Sequence, residues 1–212
     1  MKLHRKISLA SFATIAAVLS IAVAAAIAAT VTGTEGRDHL VGTPTADTIS
    51  GLGGKDKIRG LDGDDMIDAG DGEDHVKAGR GNDTVAGGNG NDLLRGEAGD
   101  DTQTGGAGDD RIFAGVGVDV TYGGDGNDDL WAMAKKDVIG DSDTVGDTLN
   151  GEAGDDKFHA RDGEADTISC GDGVDLAILD NVDVIADATE SSANGSCETV
   201  RRHAPRKGAS SD

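Results

Sequence analysis

The chain has 212 residues, of which 34 are Gly, 40 are Asp or Glu and 19 are Lys or Arg, giving a net charge of −21. Leu, Ile, Val and Phe together number 42, just under the one-fifth level below which a highly charged chain fails to bury enough apolar surface. That excludes an ordinary enzyme core and a nucleic-acid binder, whose phosphates an acidic surface repels, so something besides hydrophobic burial must order the chain and cations are its natural partner.

In chain order, the first element is a targeting segment. Lys2, His4, Arg5 and Lys6 form a positive stretch, an apolar Ala/Ile/Val/Leu run follows, and Ala26-Ile27-Ala28 supplies small residues at the spacing of a cleavage site. Residues 1–28 therefore read as a signal peptide, and the protein as secreted and extracellular, with no membrane association after cleavage. The uncharged run from Ile7 to Ala29 spans 23 residues, enough to cross a bilayer, so an uncleaved anchor is the alternative.

From residue 33 the sequence repeats every nine residues, as in GLGGKDKIR (51–59), GLDGDDMID (60–68) and GGNGNDLLR (87–95). The sixth position is Asp in twelve successive repeats: Asp38, Asp47, Asp56, Asp65, Asp74, Asp83, Asp92, Asp101, Asp110, Asp119, Asp128 and Asp137. The eighth is apolar from Leu40 to Ile139 except at Gln103 and Thr121, so one side chain per repeat faces inward. The fourth is Gly in most repeats up to Gly126, as expected where the backbone takes positive φ or approaches an ion closely, with Thr45 and Lys135 as exceptions. Each repeat thus reads as a six-residue turn and a three-residue strand. Residues 132–146 break the phase. Asp147-Thr148-Leu149 restarts it, GEAGDDKFH (151–159) is a full repeat with Asp156 at position six, a one-residue insertion precedes Asp166, and CGDGVDLAI (170–178) closes the array.

This pattern resembles the glycine-rich nonapeptide repeat of RTX, or haemolysin-type calcium-binding, proteins over nearly all of the chain after the signal segment. The resemblance implies an all-β fold, a right-handed parallel β-roll in which two nonapeptides make one coil and Ca2+ ions sit between turns stacked on the same side. Many relatives carry a catalytic or pore-forming domain ahead of the roll and a C-terminal secretion signal. Here the roll follows the N-terminal segment almost at once, and the chain ends in a short basic stretch.

The spacing leads to the same metal. If 18 residues form a coil, equivalent Asp residues stack about 4.8 Å apart. At an effective dielectric near 20 each neighbouring pair then repels by about 3 kcal/mol, and a row of them exceeds the stability of a typical domain. A divalent cation reverses the sign. Carboxylates and turn carbonyls suit the six to eight oxygen ligands of Ca2+ better than the tight octahedron of Mg2+ or the His and Cys preference of Zn2+. The expected ligands of multiple Ca2+ ions are Asp47, Asp56, Asp65, Asp74, Asp83, Asp92, Asp101, Asp110, Asp119, Asp128 and Asp156. Position five adds Asp64, Asn82, Asn91, Asp100, Asp109, Asn127 and Asp155, which also suit plain solvated turns. The weakest turns are expected before Asp47 and Asp137, where Thr45 and Lys135 replace Gly. Folding is expected to couple to Ca2+ binding.

Cys170 and Cys197, the only cysteines, are expected to form a disulfide in an exported chain. The residues from DTISCGDGVD to SCETV look like the C-terminal closure of small secreted members of this repeat family. The organisation is therefore a roll over 33–178 with an irregular loop at 132–146, a disulfide-closed cap over 179–200, and a basic disordered tail over 201–212. His39, His75 and His159 are expected to be solvated. Phe113, Tyr122 and Trp131 read as packed beneath the 132–146 loop, or as a small exposed stripe. The chain lacks HExxH, GxSxG, Walker and EF-hand patterns, so no enzyme is expected. The function read from the sequence is calcium-dependent extracellular structure. The alternative is a Ca2+-rigidified adhesin or matrix module whose partner is a cell-surface or matrix polysaccharide or protein. An ice-binding roll is weakened because no Thr-x-Thr row recurs along one face.

Overall fold

The computed structural model describes residues 28–132, 146–186 and 196–203. The signal segment up to residue 27, the loop residues 133–145 with Asp137, and Arg206 and Lys207 lie outside the described residues. The described residues form eighteen strands and no helix. One sheet, A, holds β1 (Thr30–Thr32), β3 (Thr48–Ser50), β5 (Met66–Asp71), β7 (Thr84–Asn89), β9 (Thr102–Ala107), β11 (Val120–Asp125), β13 (Thr148–Ala153), β15 (Thr167–Ser169) and β17 (Val184–Ile185). The other, B, holds β2 (His39–Val41), β4 (Lys57–Asp62), β6 (His75–Arg80), β8 (Leu93–Ala98), β10 (Arg111–Val116), β12 (Asp129–Trp131), β14 (Lys157–Ala160), β16 (Leu176–Leu179) and β18 (Thr199–Arg202).

Every pairing between strands is parallel, and partners in the first part of the roll lie eighteen residues apart, as in Thr48 with Met66 and Met66 with Thr84. Successive repeats therefore alternate between sheets, and two make one coil of a β-roll. Nine strands per sheet give a stack about 38 Å long at one strand spacing per coil. The strands of the central coils run six residues rather than three. The ladder continues into the turn, where the Asp71 N–H donates to the Leu52 carbonyl at 2.9 Å. In these strands the register skips position one: β5 pairs with β7 at residues 66, 67, 68, 70 and 71 but not at Ala69.

Position-eight side chains from both sheets meet in a thin core. Ile49, Ile58, Ile67, Val76, Leu94, Ile112, Leu130 and Leu149 are all almost fully buried. Gln103 and Thr121 are stacked neighbours on sheet A, and beside them the core divides into one cluster from Leu40 to Ile112 and another from Leu130 to Cys197. With its amide turned so that the nitrogen faces the Phe113 carbonyl, Gln103 donates there at 3.2 Å and accepts from the Gly96 N–H at 2.9 Å, which satisfies it in place. The Thr121 hydroxyl is buried without a hydrogen bond.

Alternation gives the two outer faces different chemistry. Thr30, Thr48, Thr84, Thr102, Thr148 and Thr167 line position seven of sheet A, whose strands contain no Lys, Arg or His. Thr-x-Thr itself occurs there only at 30–32 and 102–104. Lys57, Arg59, Lys77, Arg95, Arg111, Lys157 and all three expected outward histidines occupy sheet B. His39 and His75 are exposed. His159 is not solvated as expected: its ring stacks on Trp131 at 3.7 Å and its Nε2 lies 2.9 Å from Asp129, leaving the side chain 14% exposed. Phe113 stacks on the other side of Trp131 at 5.8 Å, with Arg95 over its ring, whereas Tyr122 lies on the opposite sheet.

The roll also runs beyond the expected repeat limits. It starts at β1 and ends with β17 and β18, which pair with β15 and β16. Cys170 and Cys197 form the expected disulfide, with their Cα atoms 5.2 Å apart, so the last strand is tied to the stack. Arg201 and Arg202, assigned to a disordered tail, belong to β18, and Arg202 Nη1 donates to the carbonyls of Asp180 and Asp183 at 2.9 and 3.1 Å.

Candidate metal centre

The turn residues at position six form two ladders, one along each edge of the roll. On one edge Asp38 donates its backbone N–H to Oδ1 of Asp56, Asp56 to Asp74, and so on through Asp92, Asp110, Asp128, Asp156 and Asp175, at 2.6 to 2.9 Å. Glu198 ends this row by accepting from the Asp175 N–H at 2.8 Å. The other edge runs from Asp47 through Asp65, Asp83, Asp101, Asp119, Asp147 and Asp166 to Asp183. Asp119 and Asp147 are 28 residues apart, so the 132–146 segment adds ten residues to a coil without breaking the ladder. Asp147, and not Asp137, follows Asp119.

The second carboxylate oxygen carries the site. Oδ2 of Asp56, Asp65, Asp74, Asp83, Asp92, Asp101, Asp110, Asp128, Asp156, Asp166 and Asp175 is buried and makes no hydrogen bond. In Asp56, Asp65, Asp92, Asp101, Asp110, Asp128 and Asp156 it lies beside the glycine that opens its own turn and a carbonyl of the next coil, whereas Ala or Cys opens the turns of the other four. A Cβ added to Gly87 would stand 2.5 Å from both Asp92 Oδ2 and the Gly105 carbonyl oxygen. A row of hard, unbonded carboxylate oxygens one coil apart, close to backbone carbonyl oxygens, fits a divalent cation with oxygen ligands. Burial first, then the charge of neighbouring carboxylates, pushes the pKa of Asp83, Asp92, Asp110 and Asp156 up to about 7 and that of Asp101 to about 8. Asp147 is pushed up to about 10. An unscreened row of this kind opposes its own ionisation.

The first coil differs. Thr34 donates its N–H and its hydroxyl to Asp38 Oδ2 at 2.6 and 2.9 Å, and the Thr43 N–H donates to Asp47 Oδ2. Burial opposes ionisation of Asp47, but bonds from the Ala29 and Thr43 N–H groups hold its carboxyl below the usual range. The signal is Thr at position two, where the later full repeats carry Gly, Leu or Glu.

The position-five residues stand apart from these oxygens. Asp64, Asn82, Asn91, Asp100, Asp109, Asn127 and Asp155 are exposed, and each accepts the backbone N–H of its equivalent one coil later at 2.9 to 3.0 Å. They form a second, outer pair of ladders running opposite to the inner ones. Sequence reasoning left Asp147, Asp166, Asp175 and Asp183 out of the ligand set because the phase shifts before them. All four are buried ladder members.

Comparison with curated proteins gives no match. Comparison with protein families recognises four copies of the RTX calcium-binding nonapeptide repeat, over residues 32–67, 68–103, 96–130 and 143–177. With stacked nonapeptide coils, inward Asp ladders and repeat matches over most of its length, the chain belongs to the RTX calcium-binding nonapeptide repeat family.

Proposed function

We propose that the protein is a secreted, non-catalytic β-roll that takes up several Ca2+ ions along its inner carboxylate ladders and folds as it does so. The observation that carries this reading is the run of buried, unbonded Oδ2 atoms. Asp56, Asp65, Asp74, Asp83, Asp92, Asp101, Asp110, Asp119, Asp128 and Asp156 would hold the ions. Bound Ca2+ would supply positive charge between coils, turning the strongest repulsion in the fold into a cross-link. The Thr-bonded carboxylates Asp38 and Asp47 would serve as an end cap rather than as ligands. The signal reading of residues 1–28 supports export to a compartment where Ca2+ is plentiful.

A Ca2+ titration followed by far-UV circular dichroism, with Mg2+ alongside, tests the reading. A cooperative coil-to-β transition with Ca2+ but not with Mg2+ is expected. A chain already β-rich in chelator, or one that stays coil in Ca2+, would sink coupled folding.

The segregation of basic side chains on sheet B favours a second role for the folded roll, adhesion to an acidic polysaccharide of a cell surface or matrix. A polyanion would lie along Lys57, Arg59, Arg95 and Lys157, with affinity falling as salt rises. Retention of the Ca2+-loaded protein on an alginate column, lost when Lys57 and Arg59 become Glu, would support it. Equal retention of the variant would count against it.

A further inference from the structure

One turn of the roll breaks the repeat and gathers acids in doing so. From the last residue of β14 to the start of β15, residues 160–166 make a seven-residue turn where the repeat uses six, and they bring in Asp162 and Glu164 ahead of the ladder residue Asp166. One carboxylate oxygen from each of these three lies within 4.8 Å of the others. Glu164 is 8% exposed and Asp166 is fully buried. Asp166 Oδ1 accepts the Asp147 N–H at 2.8 Å, and its Oδ2 makes no hydrogen bond.

A fourth carboxylate comes from the next coil. Asp180, just past β16, is fully buried. Its Oδ1 accepts the Val182 N–H at 2.9 Å, and its Oδ2 makes no hydrogen bond. After burial itself, the Asp180 charge is the chief neighbouring charge pushing the Asp162 carboxyl up, which puts Asp180 in electrical contact with the inserted turn. Asp183 is committed elsewhere: its oxygens accept from the Asp166 and Asp180 N–H groups at 3.3 and 2.6 Å. Arg202 reaches this region but bonds to the carbonyls of Asp180 and Asp183.

We propose that Asp162, Glu164, Asp166 and Asp180 form a separate Ca2+ site, outside the nonapeptide consensus and filled before the ladders. This assignment rests on the calcium reading of the roll. An all-oxygen donor set without His or Cys selects a hard cation, and an irregular seven-residue turn suits the larger Ca2+ better than the strict octahedron of Mg2+. Affinity for Ca2+ rises with the number of charged ligands around one ion, and here three carboxylate oxygens lie within 4.8 Å of one another with the Asp180 charge acting on one of them. Along the ladders each coil contributes one inner carboxylate per edge.

The test counts ions. Equilibrium dialysis of the full chain against graded Ca2+, with metal analysis, is compared for the wild type and for the double variant Asp162→Asn, Glu164→Gln. The variant is expected to bind one ion fewer, to lose the tightest phase, and to reach the wild-type circular dichroism spectrum at saturating Ca2+. Asp180→Asn, a milder change, should weaken the tightest phase at least tenfold. Asp92→Asn with Asp110→Asn, on the other edge, should spare that phase and reduce the weaker ones. An unchanged first phase and ion count in the 162/164 and 180 variants would overturn this site while leaving the ladders standing. A wild type that binds no Ca2+ at all would overturn both.

Discussion

At the residue scale, single atoms decide how close coils can come. Gly72 has φ of +136°, and a Cβ there would collide with the Gly54 carbonyl of the preceding coil. Gly72→Ala is therefore expected to raise the Ca2+ needed for the coil-to-β transition several-fold, or to abolish it, because both the dihedral and the carbonyl oppose the methyl. The opposite sign is expected at Thr121. Its buried hydroxyl has no partner, so Thr121→Val should stabilise the folded roll by about 1 kcal/mol, read as a higher denaturant midpoint at fixed Ca2+. The position-six aspartates from Asp38 to Asp128 were legible from phasing alone, since so many in register leave no room for chance, whereas Asp147 takes the place that phasing gave to Asp137. The bonds that occupy Asp38 and Asp47 were not, because Thr34 and Thr43 look like ordinary turn residues until the turn is closed. The outer role of position five was equally hidden: Asp and Asn supply oxygens to a metal or to a backbone N–H alike.

At the element scale, each ladder behaves as one titrating unit. The folded-state pKa values of Asp83, Asp92, Asp101 and Asp110 lie near 7 to 8, above the value of about 3.9 for an unfolded Asp. The folded chain therefore holds more protons than the unfolded one in this window. The stabilisation is fully present below about pH 4 and is lost as pH rises through 6 to 8. In chelator, β-structure should accordingly be greater at pH 4.5 than at pH 8, as read by circular dichroism. With Ca2+ the order reverses, because protons compete for the same oxygens, and the Ca2+ midpoint should rise as pH falls. A metal-free spectrum independent of pH over this range would contradict the ladder account. The C-terminal elements make a second prediction. Replacing Cys170 and Cys197 by Ser removes a cross-link 27 residues apart in sequence, worth about 3 to 4 kcal/mol in the chain-entropy model. Hydrogen exchange should quicken first in β16 and β18. The disulfide was legible from two cysteines in a chain whose first 28 residues read as an export signal. The strand around Arg201 was not, since four residues without repeat phase carry no local signal of their own.

At the scale of the whole molecule, the sequence period of nine becomes the structural period of eighteen that a two-repeat coil implies. Read repeat by repeat, the histidines scatter and the threonines form no row. Read at every second repeat, basic side chains fall on one sheet and threonines on the other. The split of the core at Gln103 and Thr121 was visible as two exceptions at position eight, but their adjacency required the coil length. Removing residues 60–77, one whole coil, should leave a shorter roll that folds with Ca2+ and keeps its retention on alginate. Removing 60–68 alone should also fold, since every Asp still meets an Asp, yet retention should fall because Lys57 and Arg59 no longer share a face with Lys77 and Arg95. Equal retention of the two deletions would argue against an adhesive face on sheet B.

Strand alternation thus gives the chain a parity. Each nonapeptide is interchangeable with its neighbours as far as the carboxylate rows are concerned, but not as far as the surfaces are. Gain or loss of an odd number of repeats exchanges the two faces for everything downstream, much as a frameshift alters all later codons, whereas an even number only changes the length. A lineage that kept one face for a partner could therefore grow or shrink this roll only in steps of eighteen residues, or by insertions that, like the ten extra residues in the coil from Asp119 to Asp147, leave the alternation of the described strands untouched.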